Sequence, residues 1–138
     1  MTNALYDALL LPHAASEKTF LILRDGREID YKAFLGMVAR FANAIMASGA
    51  KPGDRVAVQV KKSPEALALY AACVGAGAIF LPLNTAYTPA EVEYFVTDAE
   101  ATLLICDDTG ATALEPVAAK VGATLLTLNE DGSGSFAT

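Results

Sequence analysis

Two adjacent carboxylates, Asp107-Asp108, follow the apolar run Thr102 to Cys106, at the carboxyl end of what reads as a strand. Ligands gather at that end of an α/β sheet, and hard carboxylate oxygens there could hold Mg²⁺. The simpler use is to cap the next helix or turn. Lys61-Lys62-Ser63 is the only basic pair, but it lacks the glycines that let backbone amides cradle phosphate. Gly75-Ala76-Gly77 precedes a strand, whereas a dinucleotide loop follows one, so it reads as a helix stop with close packing. Gly132 to Ala137 fits a GxGxxA pattern after a strand, yet neither a following helix nor a ribose-binding acid appears in the sequence. His13 is the lone histidine and stands beside Pro12, with no Ser, Cys or acid pattern to make it a general base. Tyr87 is placed to line a pocket, while Tyr94 and Phe95 read as one packed helix face. Cys73 and Cys106 sit in apolar contexts without CxxC spacing and read as buried thiols. Residue types and spacing alone assign no catalytic, cofactor-binding or metal-binding residue.

These groups depend on an alternation of strands and helices. Asn3 to Leu11 predicts a short helix stopped near Pro12, and Phe20 to Arg24 with Glu28 to Asp30 predicts a hairpin around Asp25-Gly26. Phe34, Leu35, Val38, Phe41, Ala42 and Ile45 form one apolar helix face, with Asp30 as its cap and Gly49 at its end. Asp54 to Val60 predicts a strand that points Val56, Val58 and Val60 to one side. Ser63-Pro64-Glu65 starts the next helix, which should end near Gly75. Ala78 to Leu83 reads as a strand of the buried type, and Thr88-Pro89-Ala90-Glu91 as a capping box opening a helix to about Ala99. Strand Thr102 to Cys106, a helix from about Ala111 to Val121 that Pro116 could delay, and strand Thr124 to Leu128 complete the pattern. The predicted fold class is α/β, a mostly parallel sheet with helices on both faces and right-handed crossovers. Residues 1–128 are expected to form one α/β subdomain, and 129–138 a polar connection toward further parts of a longer chain.

With 138 residues, the chain can bury roughly two thirds of the surface exposed when unfolded. A net charge of −6 with scattered Lys and Arg argues against a nucleic-acid partner. No apolar run approaches the roughly 20 residues of a membrane span, and no leader pattern opens the chain, so a cytoplasmic location is expected.

From Ile29 to Asp107 the order of motifs resembles the N-terminal part of the large domain of the acyl-CoA synthetases, the adenylate-forming enzymes. The matching pieces are Ile29-Asp30-Tyr31, Lys51-Pro-Gly-Asp-Arg-Val56, Lys62-Ser-Pro-Glu-Ala-Leu67 and Gly77-Ala-Ile-Phe-Leu-Pro-Leu-Asn-Thr-Ala-Tyr-Thr88. Within that family, Leu81 to Thr88 and Asp98-Ala99-Glu100 are most similar to malonyl-CoA synthetases. The resemblance implies a parent enzyme that uses Mg²⁺, ATP and CoA to activate a carboxylate, with malonate as substrate. It also implies acyl-adenylate formation, pyrophosphate release and transfer to the CoA thiol. The family's Ser/Thr/Gly-rich loop ending in Pro-Lys and its later hinge and catalytic-lysine motifs are absent from these 138 residues. The chain therefore reads as an N-terminal fragment that is inactive alone, has no cofactor of its own, and is partnered by the remainder of the parent. An uncovered apolar face or strand edge would favour self-association. The alternative is a freestanding, non-catalytic α/β binding module. The two readings separate on whether the parent reading frame continues past Thr138 into such a loop.

Overall fold

A computed structural model describes residues 3–137; Met1, Thr2 and Thr138, counted in the two expected segments, lie outside the described residues. Helix α1 (Ala4–Leu9) opens on Asn3, whose side chain accepts from the Leu5 and Tyr6 amides. It stops two residues short of the predicted Leu11, where Pro12 enters a 3₁₀ turn, Leu11–His13. Strands β1 (Thr19–Ile22) and β2 (Glu28–Asp30) pair antiparallel, as the Asp-Gly turn predicts. Asp30 then caps α2 (Tyr31–Ala47) by accepting the Ala33 N–H at 2.7 Å. Phe34, Leu35, Val38, Phe41 and Ile45 make its buried face, and Ala42 lies at its margin.

The main sheet contains β3 (Arg55–Gln59), β4 (Ile79–Pro82), β5 (Leu103–Cys106) and β6 (Thr124–Thr127) in the order β4-β3-β5-β6. All three pairings are parallel, and the register runs from Val56 opposite Leu103 to Gln59 opposite Cys106 across the centre. Side chains alternate between faces along a strand. Val56, Val58, Leu103 and Ile105 accordingly meet α2 and α3 (Pro64–Ala76), while Ala57, Leu104 and Cys106 meet α4 (Pro89–Asp98) and α5 (Asp108–Val121). The predicted parallel sheet covered on both faces is the fold found. Among the described residues, no helix is long and apolar enough to cross a membrane.

Several elements depart from the sequence reading. Strand β4 is at an edge rather than buried on both sides, and Ile79 is largely exposed. That position tolerates Pro82, which has no N–H to donate to a further strand. Helix α3 continues through Gly75 to Ala76, and Gly77, at φ +75°, makes the left-handed stop. A side chain at Gly75 would come within 3.2 Å of the Tyr6 ring, so that glycine serves close packing of α1 on α3. Helix α5 begins at Asp108 and runs through Pro116. Pro116 and Thr112, four residues earlier, are both exposed, so water can satisfy the carbonyl that proline leaves without a donor. Within the polar segment after β6, a 3₁₀ turn, Ser135–Ala137, buries Phe136 edge-on against Phe41 at 5.2 Å.

Candidate functional site at the carboxyl ends of the strands

Strand β3 leads through α3 outward to β4 on one side, and β5 leads through α5 outward to β6 on the other. The connections therefore part between β3 and β5, where their carboxyl ends open a crevice of the kind that binds ligands in α/β sheets. Gln59 enters it from β3 and Lys61 from the segment after it, Thr85 and Tyr87 from the turn after β4, and Asp107 and Thr109 from the start of α5, around a cleft of about 270 Å³. A second cleft of about 360 Å³ shares Lys61, Asp107 and Thr109 and is bounded beyond by Asn129, Glu130, Asp131 and Ser133.

Hydrogen bonds fix most of these groups. Gln59 Nε2 donates to the carbonyls of Asn84 at 2.9 Å and Tyr87 at 3.2 Å, holding the 84–87 turn over the end of β3. Tyr87 stacks on Phe95 at 5.1 Å, whereas Tyr94 is 65% exposed; only Phe95 of the pair expected to form a packed face lies against the core. Asp107 caps α5, its Oδ1 accepting the Gly110 N–H at 3.0 Å and the Thr109 hydroxyl at 2.6 Å. The Asp108 N–H donates to Asn129 Oδ1 at 2.9 Å, and Asn129 Nδ2 donates back to Asp108 Oδ2 at 2.8 Å. Asp131 accepts from the Ser133 hydroxyl and N–H, which hold its carboxyl below the ordinary 3.8.

The electrostatics of the crevice are lopsided. Four carboxylates, Asp107, Asp108, Glu130 and Asp131, surround one ammonium, Lys61. Among the described residues the ion pairs are Arg27–Asp25 and Lys120–Glu93, so Lys61 enters none. A phosphate would meet net negative charge here. A divalent cation would meet Asp107 and Asp108 already committed to the α5 cap and to Asn129, and no group of three or more His, Cys, Asp or Glu among the described residues could hold a metal ion. The donor set fits neither Mg²⁺ nor a nucleotide phosphate.

The other sequence candidates lie elsewhere. His13 stacks on Tyr31 at 4.6 Å beside the hairpin. Ser63 caps α3 through the Ala66 N–H at 3.0 Å. Gly132 and Gly134 pack on their own chain: a side chain at Gly134 would lie 2.3 Å from the Thr127 carbonyl oxygen. Cys73 and Cys106 are buried free thiols, pushed up to about 12 and about 11 by burial, with Asp107 and Asp108 adding to the second. Sequence reasoning passed over Gln59 and Asn129, which organise the crevice. The available signal was a polar residue closing each apolar strand.

The sequence matches the AMP-binding enzyme family over residues 12–135. Among solved structures, ATP-bound MatB from Rhodopseudomonas palustris is similar at 44% identity and a TM-score of 0.90, over 98% of this chain and 27% of that one. A feruloyl-CoA synthase from Amycolatopsis is 36% identical over 98 residues, 71% of this chain and 19% of the relative. An acetyl-coenzyme A synthetase from Rhizobium meliloti is 31% identical over 128 residues, 87% of this chain and 19% of the relative. The chain thus spans about a fifth of the length of these curated relatives.

Proposed function

The chain belongs to the AMP-binding enzyme family, and from that premise we propose that it is the N-terminal portion of an ATP-dependent carboxylate-CoA ligase whose acid is malonate. The parent reaction is malonate, ATP and CoA giving malonyl-CoA, AMP and pyrophosphate. The observation that carries the reading is the 98% coverage by an ATP-bound enzyme of the same fold at 44% identity. Relatives named for joining feruloyl and acetyl groups to CoA support the reaction class. Malonate is supported by the resemblance of Leu81 to Thr88, a string that forms the end of β4 and the turn that Gln59 pins.

Attack at phosphorus needs the phosphate charge held by backbone amides, Lys and a metal ion. In this reading those groups, Mg²⁺ included, are supplied by the rest of the parent, and residues 3–137 contribute scaffold. Residues 1–128 are the α/β subdomain and 129–138 lead toward that remainder. The proposed setting is the cytoplasm, whose reducing conditions suit two unpaired thiols. The test is a pyrophosphate-release assay on the full-length parent with malonate, acetate and a long-chain acid, paired with calorimetry of the 138-residue chain alone. Malonate-dependent release followed by malonyl-CoA is expected from the parent, and no saturable ATP heat from the isolated chain. Equal or faster turnover of acetate sinks the substrate assignment and leaves the ligase class standing.

A further inference from the structure

Strand β3 ends at Gln59, and the last backbone bond between it and the chain leaving β4 runs from the Leu83 N–H to the Val58 carbonyl at 2.8 Å. Beyond that point the backbones separate, and the chain turns through residues 84–87 before Thr88 caps α4. The Gln59 carboxamide takes over where the ladder stops. Its single nitrogen serves two carbonyls, those of Asn84 and Tyr87 at the two ends of the turn. Among the described residues, the turn's remaining hydrogen bonds stay inside it, from the Ala86 N–H to Asn84 Oδ1 at 2.8 Å and from the Tyr87 N–H to the Asn84 carbonyl at 3.0 Å. Those bonds shape the turn but do not place it on the sheet. The crevice therefore has walls of two kinds. On the α5 side Asp107 bonds its own sequence neighbours Thr109 and Gly110, so that wall comes with the helix. On the other side stand Thr85 and Tyr87; stacking on Phe95 orients the Tyr87 ring, while the backbone that carries both is held to β3 by Gln59. Gln59 itself is half-buried and lines the cleft that it shapes.

We propose that Gln59 is a positioning residue of the parent ligase: through its two hydrogen bonds to the 84–87 turn it sets the separation of Tyr87 from the start of α5, and that separation governs the thioester-forming half of the reaction. The inference rests on the reading of this chain as part of a longer ligase. The charge of the crevice selects the half. Acyl-adenylate formation joins ATP to malonate and releases pyrophosphate, all of them anions, and four carboxylates around one ammonium repel them. Thioester formation begins with a thiol on an uncharged arm, which that field does not turn away.

The experiment compares the full-length parent with its Gln59→Leu and Gln59→Glu variants, reading malonate-dependent exchange of pyrophosphate into ATP without CoA, and malonyl-CoA formation with CoA varied. Both variants should fold, because the Asn84 carbonyl keeps the Tyr87 N–H and water reaches the exposed residues 84–86. Gln59→Leu is expected to lower kcat/KM for CoA about tenfold to about a hundredfold, the scale of a displacement near 1 Å, and to leave the exchange within about twofold. Gln59→Glu sets a carboxylate against two carbonyl oxygens, whereas its protonated form can donate one of the two bonds. Its CoA-dependent rate relative to wild type should therefore rise several-fold from about pH 8 to about pH 6. Lys61 and Asp107, the charged groups lining the cleft, are common to both proteins, so the ratio isolates position 59. A ratio flat with pH, or equal losses in both halves that follow the unfolded fraction, overturns the inference. A wild-type parent that activates neither malonate, acetate nor a long-chain acid removes the ligase reading, and an active parent indifferent to both substitutions removes only the positioning role.

Discussion

Cys73 lies on the buried face of α3 and Cys106 at the end of β5, and at both burial penalises the thiolate, which would lose its hydration in an apolar core. The Cys73 thiol is raised from the ordinary 9.0 to about 12, so folding favours its protonated form. The resulting stability is fully present below pH 9.0 and is lost as pH rises through about 12. Chemical denaturation between those limits should show stability falling with pH, and Cys73→Ala should flatten that slope while lowering the plateau. A wild-type slope no steeper than that of the variant would contradict the burial argument. A thiol reagent at pH 8 should label the native protein only at the rate of its unfolding. At this scale the sequence was legible wherever a residue acts on its near neighbours. Asp30, Ser63 and Thr88 were each read as caps, and each accepts the N–H three residues on. The capping box at Thr88 is nevertheless altered, since the Thr88 hydroxyl bonds Glu91 Oε1 at 3.3 Å. Asn129 was not legible, because its partner Asp108 is 21 residues away across the end of the sheet.

Among the elements, the 3₁₀ turn Ser135–Ala137 ties the chain's last described residues to β6. Ser135 Oγ accepts the Thr127 N–H at 2.9 Å, and the Ser135 N–H donates to Thr127 Oγ1 at 3.0 Å. Gly134, at φ +121°, brings the backbone against Thr127 where no side chain fits. Phe136 is 2% exposed and fills the space beside Phe41, so Phe136→Ala should cost about 3 kcal/mol, the low end for a core phenylalanine because this turn can move away. Gly134→Ala should cost less but expose the Thr127 amide to hydrogen exchange, with the β5 amides unchanged. Uniform loss of protection across the sheet would mean that the turn is part of the global folding unit. Composition hid this element, because one phenylalanine among glycines and serines carries no periodicity. Pro116 misled in the opposite sense: proline is a poor helix residue, yet an exposed carbonyl one turn back removes most of the difficulty. Periodicity did reveal the parallel sheet, since period-2 valines in β3 and 3.6-period stripes in the helices report burial directly.

At the scale of the molecule, two routes to self-association present themselves, strand pairing and apolar packing. Both sheet edges are blunted. Pro82 removes a donor from β4, and Ser135 occupies the Thr127 N–H on β6. The outer face of α3, with Leu67 40% and Tyr70 41% exposed, is not blunted, and in the isolated 138-residue chain it stands in water. Charge opposes the approach of two copies, and salt screens it: the Debye length falls from about 30 Å at 0.01 M to about 3 Å at 1 M. The isolated chain should therefore be monomeric at low ionic strength and associate weakly and reversibly as salt is raised, as measured by sedimentation velocity across that range. Tyr70→Lys should abolish the association, because an ammonium on that face must be desolvated for α3 to pack against α3. A β-edge contact would be indifferent to that substitution and would instead respond to Ser135→Ala, which frees the Thr127 amide. A sharp monomer at every salt concentration, with a high unfolding temperature, would mean that α3 tolerates water on its outer face and would favour a freestanding module over a portion of a larger enzyme.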